Sequence, residues 1–287
     1  MGALYMKPIK LITDSTCDLT KEILEERNID VIPMHIHFGQ DQFADGVELT
    51  VDDMYKKVEE YGMLPKSAAI SPGEFATVFK KYLDEGYQII YLGIGYKFSG
   101  TLQSANVAKG LLESDDIHLI DSGNLSSGSG LLLLRASDLI KEGKDVPSIV
   151  KEIEETVPKV RSQFVIDTLE YLYKGGRLNA LGAFFGKVLH LHPMIAVKDG
   201  EMYVAKKISG AMRKAVRYMV NEAIKQKDDI DPRYMMITHS KAEKNAVYVK
   251  GMLEDSMDLD TIYETYAGCT ISTHCGAGTI GILYIMK

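Results

Sequence analysis

The chain has 287 residues, of which 46% are hydrophobic and 25% are charged, and its formal net charge is −7. This composition is typical of a globular protein, and the length favours two domains. The negative charge disfavours general binding to nucleic acid or to an anionic membrane surface. Three cysteines cannot all pair, and no stretch approaches the roughly 18 apolar residues of a membrane-spanning helix, so we expect a cytoplasmic protein.

The first 160 residues alternate short apolar runs with amphipathic stretches. The apolar runs predict strands over residues 9–12, 31–38, 67–70, 89–94 and 117–120. Helices are predicted over residues 51–61, after the capping sequence Ser71-Pro72-Gly73-Glu74, and over residues 102–112. A repeated order of strand, polar loop and helix predicts a parallel α/β sheet with its functional loops at one end.

The pattern changes near residue 160. Beyond it, longer apolar runs predict strands over residues 188–197, 234–237, 261–266 and 280–285, with helices over residues 210–225 and 242–254. We therefore predict an α/β protein with an N-terminal parallel α/β domain over residues 1–160 and a C-terminal α+β domain over residues 161–287.

Hydroxyl groups cluster in the predicted loops of the first domain. Residues 93–101 follow a strand and precede a helix, so their amides and the hydroxyls of Ser99 and Thr101 could converge on an anion. Ser67 and the Ser/Gly-rich residues 121–130 are predicted at the ends of other parallel strands, the edge at which open α/β sheets bind ligands. The alternative for Ser99 is that it only caps the following helix.

Two side chains in the second half stand out against the small residues around them. His274 lies in Ser272-Thr273-His274-Cys275-Gly276, where small residues permit a ligand to approach, although a neighbouring backbone group could equally satisfy the ring. Arg177 follows two glycines, and its guanidinium could bind a carboxylate or phosphate in a bidentate manner.

Other motifs do not support a cofactor, a metal or a nucleophile. Residues 276–281 match G-x-G-x-x-G, but the few residues that follow them leave no room for the helix of a dinucleotide site. His190 and His192 share a strand face without a third metal ligand nearby. No G-x-S-x-G elbow is present, so the sequence alone does not indicate a hydrolase.

Five segments, in order over nearly the whole chain, carry a family resemblance. They are Ile12-Thr13-Asp14-Ser15-Thr16-Cys17-Asp18-Leu19, Ile70-Ser71-Pro72-Gly73-Glu74-Phe75, Phe98-Ser99-Gly100-Thr101-Leu102-Gln103-Ser104-Ala105, Gly175-Gly176-Arg177-Leu178 and Thr273-His274-Cys275-Gly276-Ala277-Gly278. This set resembles the DegV family of bacterial proteins, which includes the fatty-acid-binding FakB-type proteins. The resemblance implies a two-domain DegV/EDD-like fold that holds one long-chain fatty acid in an apolar tunnel. It also implies presentation of the carboxylate to a partner fatty acid kinase, which forms an acyl-phosphate.

The resemblance assigns roles by position. Ser67 stands where the family usually has threonine, and Ser99 is the serine of the family's Ser-Gly-Thr motif; both are expected to bind the carboxylate. His274 and Arg177 are expected to support it, directly or through water. The expected ligand-binding set is Ser67, Ser99, Gly100, Thr101, Arg177 and His274, with no catalytic residue, cofactor or metal. The resemblance implies a binding protein rather than an enzyme, with no nucleic acid partner and at most transient membrane contact.

The chain departs from the family pattern at three places. The usual Thr-Ser-Gln-Pro-Ser reads Ser67-Ala68-Ala69-Ile70-Ser71, which removes polar groups beside the expected head group. A family arginine near residues 208–210 is matched only if Arg213 replaces it, and Ala277 stands where proline is common.

The apolar lining is expected mainly from the second half of the chain. By apolar pattern the candidates are Phe164, Ile166, Phe184, Phe185, Leu189, Met194, Ile195 and Ile237, and the alternative is that they form ordinary core. Two other functions stay open: a phosphotransferase or hydrolase that uses the same cleft on a phosphorylated metabolite, and an interaction module without a bound small molecule.

Overall fold

The computed structural model describes residues 7–177 and 191–287. The strands are β1 (Ile9–Asp14), β2 (Ile29–Ile32), β3 (His35–Phe38), β4 (Asp41–Ala44), β5 (Lys66–Ala68), β6 (Gln88–Gly93), β7 (Ile117–Asp121), β8 (Val160–Val165), β9 (Leu191–Lys198), β10 (Glu201–Ser209), β11 (Ile230–His239), β12 (Ile262–Tyr266) and β13 (Ile280–Met286). The α-helices are α1 (Lys21–Glu26), α2 (Val51–Tyr61), α3 (Pro72–Asp84), α4 (Thr101–Leu112), α5 (Ser127–Lys141), α6 (Val146–Thr156), α7 (Glu170–Lys174), α8 (Met212–Ile224), α9 (Glu243–Glu254) and α10 (Cys269–Cys275). None of these helices has the length and apolar character needed to cross a membrane.

The first sheet is parallel, with the strand order β2-β1-β6-β7. Its central strands β1 and β6 are almost entirely buried, as expected where both faces of a parallel sheet are covered. Helices α3 and α4 pack against each other and against its strands. The parallel α/β sheet predicted for the first half of the chain is therefore confirmed.

The capping box at the start of α3 forms as its sequence predicts. Ser71 Oγ accepts a hydrogen bond from Glu74 N (3.3 Å), and a carboxylate oxygen of Glu74 accepts one from Ser71 N (2.9 Å). Pro72 occupies the first helical turn, where its missing N–H removes no helical hydrogen bond. These contacts begin α3 directly after the segment that carries β5.

A small antiparallel sheet, β4-β3-β5, corrects two predictions. The single strand predicted over residues 31–38 is wrong: β2 ends at Ile32 in the parallel sheet, and β3 begins at His35 in the small sheet. Pro33 separates them, because proline has no N–H for a strand ladder. Ser67 lies in β5 opposite Ile36, and thus within an antiparallel pair rather than at the end of a parallel strand.

The second half of the chain forms a mixed sheet with the order β10-β9-β8-β13-β11-β12. Its pairings are antiparallel except that between β11 and β12. Helices α8 and α9 pack together over one face. This agrees with the predicted α+β character, although β8 and β10 were not predicted. The strand predicted over residues 188–197 is seen as β9, and residues 188–190 lie outside the described ranges.

Helix α5 lies between the two larger sheets. Leu131 to Leu134 are all buried, because α5 contacts β1 and β6 on one side and β8, β11 and β13 on the other. One hydrophobic cluster accordingly joins Leu92 of the parallel sheet, α5 and Leu283 of the mixed sheet. The change of sheet falls between β7 and β8, and the domain division at residue 160 stays a prediction.

Candidate functional site

A cavity with about 890 Å³ of empty space, its open mouth included, lies between the two halves of the chain. Its surface is mostly apolar. The described residues that line it are Met34, Ser67, Ile94, Phe98, Ser99, Leu125 and Ser126 from the first half, and Ser162, Phe164, Leu172, Arg177, Met202, Thr238, His239, Ser240, Ala267, Thr270, Ile271, His274, Cys275, Thr279, Gly281 and Leu283 from the second. A mostly apolar wall that carries a few polar groups suits an organic ligand that is mainly apolar.

Ser67 and His274 meet in the cavity wall. Ser67 Oγ lies 2.8 Å from His274 Nε2, so strand β5 of the small sheet and helix α10 bring together residues 207 positions apart. Burial, with a smaller contribution from the positive charge of Arg177, lowers the pKa of His274 to about 4. The ring is therefore neutral near pH 7, and its Nδ1 is buried without a hydrogen-bond partner in the described part of the chain.

Two aspartates from the first half fix the start of α10. Asp45 accepts hydrogen bonds from Cys269 N (2.9 Å) and Thr270 N (3.0 Å), and Asp18 accepts one from Gly268 N (2.8 Å). Burial raises the pKa of Asp18 well above its usual range, against its hydrogen bonds. Asp18 lies in the first family segment, residues 12–19, where no role was predicted for it, and Asp45 has no local sequence signal that would indicate its role.

Arg177 and Gly175 lie on the other side of the imidazole ring. Arg177 lines the cavity with an exposed side chain, and its Nη1 donates a hydrogen bond to Gly175 O (3.0 Å). Gly175 has ordinary helical backbone angles, but a Cβ there would press on His274 Nδ1 and on Tyr171 O. Glycine is therefore required at position 175 by the close approach of the His274 ring.

Ser99 lines the cavity, whereas Gly100 and Thr101 are not among the lining residues. Ser99 Oγ is 2.8 Å from Thr101 Oγ1 and accepts a hydrogen bond from Thr101 N (3.3 Å). Gly100 is exposed, and Thr101 is buried at the start of α4. The capping alternative for Ser99 is therefore wrong, because Gly100 is the N-cap of α4 and has no side chain that could cap the helix. Ser99 instead accepts a hydrogen bond from the first amide of the helix and presents a hydroxyl-bearing side chain to the cavity.

The apolar lining differs from the sequence expectation. Of the candidates, Phe164 lines the cavity, whereas the other described ones pack in the hydrophobic core instead; these are Ile166, Met194, Ile195 and Ile237. Phe184, Phe185 and Leu189 lie outside the described residues. The lining is also shared between the halves, because the loops after β6 and β7 contribute Ile94, Phe98 and Leu125.

The histidine pair considered for metal binding is only partly described. His190 lies outside the described ranges, and His192 Nδ1 is 3.7 Å from Asp167 Oδ1. Among residues 7–177 and 191–287, no group of three or more His, Cys, Asp or Glu side chains has an arrangement that could hold a metal ion.

Comparison with known proteins gives the family. The family model described as "Uncharacterised protein, DegV family" matches residues 8–287. A DegV domain-containing protein of Clostridium perfringens is 39% identical over 283 residues, which cover 98% of this chain and 99% of that protein.

Solved structures show the same fold. A DegV family protein of Thermus thermophilus, described as binding fatty acid, has a TM-score of 0.90 and 27% identity, covering 98% of this chain and 100% of its own. DegV of Bacillus subtilis, described as a fatty acid binding protein, has a TM-score of 0.85 and 27% identity at the same coverage of both chains. From the sequence motifs, the fold and these matches together, the chain belongs to the DegV family.

Proposed function

We propose that the chain binds one long-chain fatty acid, with the alkyl chain in the cavity and the carboxylate at Ser67 and His274. The observation that carries the proposal is the position of this polar pair in the wall of a mostly apolar cavity. The fatty-acid-binding descriptions of the Thermus thermophilus and Bacillus subtilis relatives support it.

The energetics of burial favour such a ligand. At about 0.8 kcal/mol per buried methylene, some fifteen methylenes contribute on the order of 12 kcal/mol before the costs of association. Leu172, Met202 and Leu283 belong to the apolar part of the wall that would receive them. The alkyl chain therefore supplies affinity, and the polar pair is left to fix orientation.

The carboxylate needs donors, because an unpaired buried charge is costly. Ser67 Oγ donates directly, and Ser99 Oγ donates once its hydroxyl hydrogen turns from Thr101 towards the ligand. A carboxylate beside His274 favours the protonated ring, so binding raises the pKa of His274 and the complex takes up a proton. Arg177 adds a positive charge at the exposed rim, where it attracts the anion as the ligand enters.

In this proposal the protein is a cytoplasmic carrier rather than an enzyme, and it presents the bound carboxylate to a partner fatty acid kinase for acyl-phosphate formation. The supporting features are the family motifs and the exposure of Arg177 beside His274, which leaves the head-group side of the cavity approachable. Phosphate transfer requires access to one carboxylate oxygen, so two hydroxyls and one imidazole suit a site that holds the head group without enclosing it.

A hydrolase or phosphotransferase is the second candidate, because the Ser67–His274 contact resembles the nucleophile and base of a catalytic triad. Such a triad needs an acid that orients the base. His274 Nδ1, where that acid would bind, has no partner among the described residues, and this favours the carrier. Turnover of an acyl ester or a phosphate monoester by the purified protein, abolished in Ser67→Ala, would favour the enzyme.

The direct test is extraction of the purified protein with organic solvent, followed by mass spectrometry. We expect about one fatty acid per wild-type chain, strong depletion in Ser67→Ala/Ser99→Ala, and no change in the exposed control Ser148→Ala. Wild-type protein that carries no fatty acid and takes up none when it is added would refute the proposal.

A further inference from the structure

The cavity wall contains more hydroxyl groups than an aliphatic chain requires. Among the described lining residues, eight carry a hydroxyl: Ser67, Ser99, Ser126, Ser162, Thr238, Ser240, Thr270 and Thr279. Such a wall can accept an alkyl chain only if its hydroxyls are satisfied within the protein, because a buried polar group without a hydrogen bond is costly.

Seven of the eight hydroxyls have such partners. The contacts are Ser67 with His274, Ser99 with Thr101, Ser126 with Asp18, Ser162 with Asn124, Thr238 with Ser127 and Thr265, Ser240 with Tyr55 and Ser272, and Thr279 with Cys275 O. These seven therefore need nothing from the ligand's alkyl chain.

Thr270 is the exception. Its side chain is 2% exposed, it lines the cavity, and its Oγ1 has no hydrogen-bond partner in the described part of the chain. Its backbone N–H is already bound by Asp45, so the unsatisfied group is the hydroxyl alone. The buried hydroxyl of Thr270 is therefore either left unsatisfied or forms a hydrogen bond with a polar group of the bound ligand.

The position of Thr270 relates it to the head-group site. Thr270 and His274 are four residues apart on α10, so they lie on the same side of the helix, about 5–6 Å apart at their Cβ atoms. Both line the cavity. A polar group that reaches Thr270 while the carboxylate is at His274 must therefore be carried within the first few carbons of the acyl chain.

We propose that Thr270 recognises an oxygen substituent near the carboxyl end of the ligand, and that the preferred ligand class is the 3-hydroxy long-chain fatty acids. This inference rests on the proposed fatty-acid-binding function and adds the ligand's substitution pattern to it. The hydroxyl of the ligand satisfies Thr270 Oγ1, whereas an unsubstituted chain leaves that oxygen unpaired. Selectivity follows because a site built around a hydrogen bond disfavours the analogue that lacks it.

The test measures dissociation constants of hexadecanoate and 3-hydroxyhexadecanoate for delipidated wild type, Thr270→Val and Thr279→Val. Valine keeps the shape of threonine at both positions. Thr279 is the matched control, because its hydroxyl belongs to the same wall but is satisfied by Cys275 O. Thermal unfolding of each variant establishes that it is folded before binding is compared.

We expect the wild type to bind the hydroxy acid more tightly, and Thr270→Val to reduce that preference by about twofold to tenfold, the range of one lost hydrogen bond. Thr279→Val should keep the wild-type preference. An unchanged preference in Thr270→Val, with both acids still bound, would overturn this inference and leave the proposed function standing. Failure of the wild type to bind either acid would instead refute the proposed function.

Discussion

Replacing Gly175 with alanine adds one methyl group against the buried side of His274. The new Cβ would overlap His274 Nδ1, and would lie 2.9 Å from Tyr171 O and 3.1 Å from His274 Cε1. The backbone angles at Gly175 suit alanine, so the clash is the whole effect and the ring must move. Movement of the ring breaks its contact with Ser67 Oγ.

The cost can be divided between folding and binding. Overpacking costs roughly 1–3 kcal/mol and the lower chain entropy of alanine returns about 0.5–1 kcal/mol, so we expect a net loss of stability of about 0–2.5 kcal/mol. A lost hydrogen bond to a charged group is worth about 1.5–3 kcal/mol, which weakens fatty acid binding about 10- to 150-fold.

The assay is titration of the delipidated protein with a fatty acid in a calorimeter, together with denaturant unfolding. Gly100→Ala is the matched control, because it adds the same methyl group beside Ser99 where no atom lies within 4 Å. Equal affinities of Gly175→Ala and wild type would refute the reasoning, since they would mean that the position of His274 does not govern binding.

Three further outcomes can be measured. The pKa of His274 is about 4 in the folded protein and near 6.5 in the unfolded chain, so between these pH values only the unfolded chain binds the proton. Lowering the pH from about 7.5 to 4 should therefore reduce the stability of the wild type by about 2–3 kcal/mol more than that of His274→Gln. Denaturant melts at each pH measure this difference. Equal losses in both proteins would contradict the assignment. Asp45→Ala removes the acceptor for Cys269 N and for the next amide of α10, so it should destabilise the protein by about 1–3 kcal/mol and weaken fatty acid binding; an unaltered melting temperature would count against it. Lys97→Met removes an ion pair with Glu201 in which both side chains are well exposed and screened by water, so the melts of this variant should overlay those of the wild type. A clear loss of stability would show that the contact is more than a surface pair.

The parts of the fold that sequence reasoning predicted have strong local signals. Strand β6 is a continuous apolar run, and Ser71 and Glu74 have the spacing of a capping box. Strand β10 was missed because it lies at the edge of its sheet, carries lysines, and has a bulge between Val204 and Lys206 that breaks the alternation of apolar and polar residues.

The sequence allowed residues of the site to be named, but it did not indicate which of them would be in contact. The family resemblance indicated Ser67 and His274 by position. No local pattern, however, indicates that an antiparallel strand would carry the serine to a helix residue 207 positions away. The role of Asp45 could not be predicted for the same reason, because Asp45 binds the start of α10, which comes near it only in the folded chain. The prediction of the lining residues was wrong at Ile195, which packs in the hydrophobic core. An apolar sequence pattern is the same for a residue in a cavity wall and for a residue in the core.

The position of α5 limits how a ligand can enter and leave. Proteins that bind ligands between two lobes commonly open by a hinge, which needs lobes that separate without exposing their interiors. Here Leu131 to Leu134 are buried between the parallel and mixed sheets, so a hinge between the halves would expose the leucines of a shared core to water. We therefore expect ligand exchange to proceed through local movement of the cavity wall, with the two sheets still packed on α5. The shared core also predicts that the two halves unfold together in one transition. Neither half should then fold when it is expressed or recombined without the other.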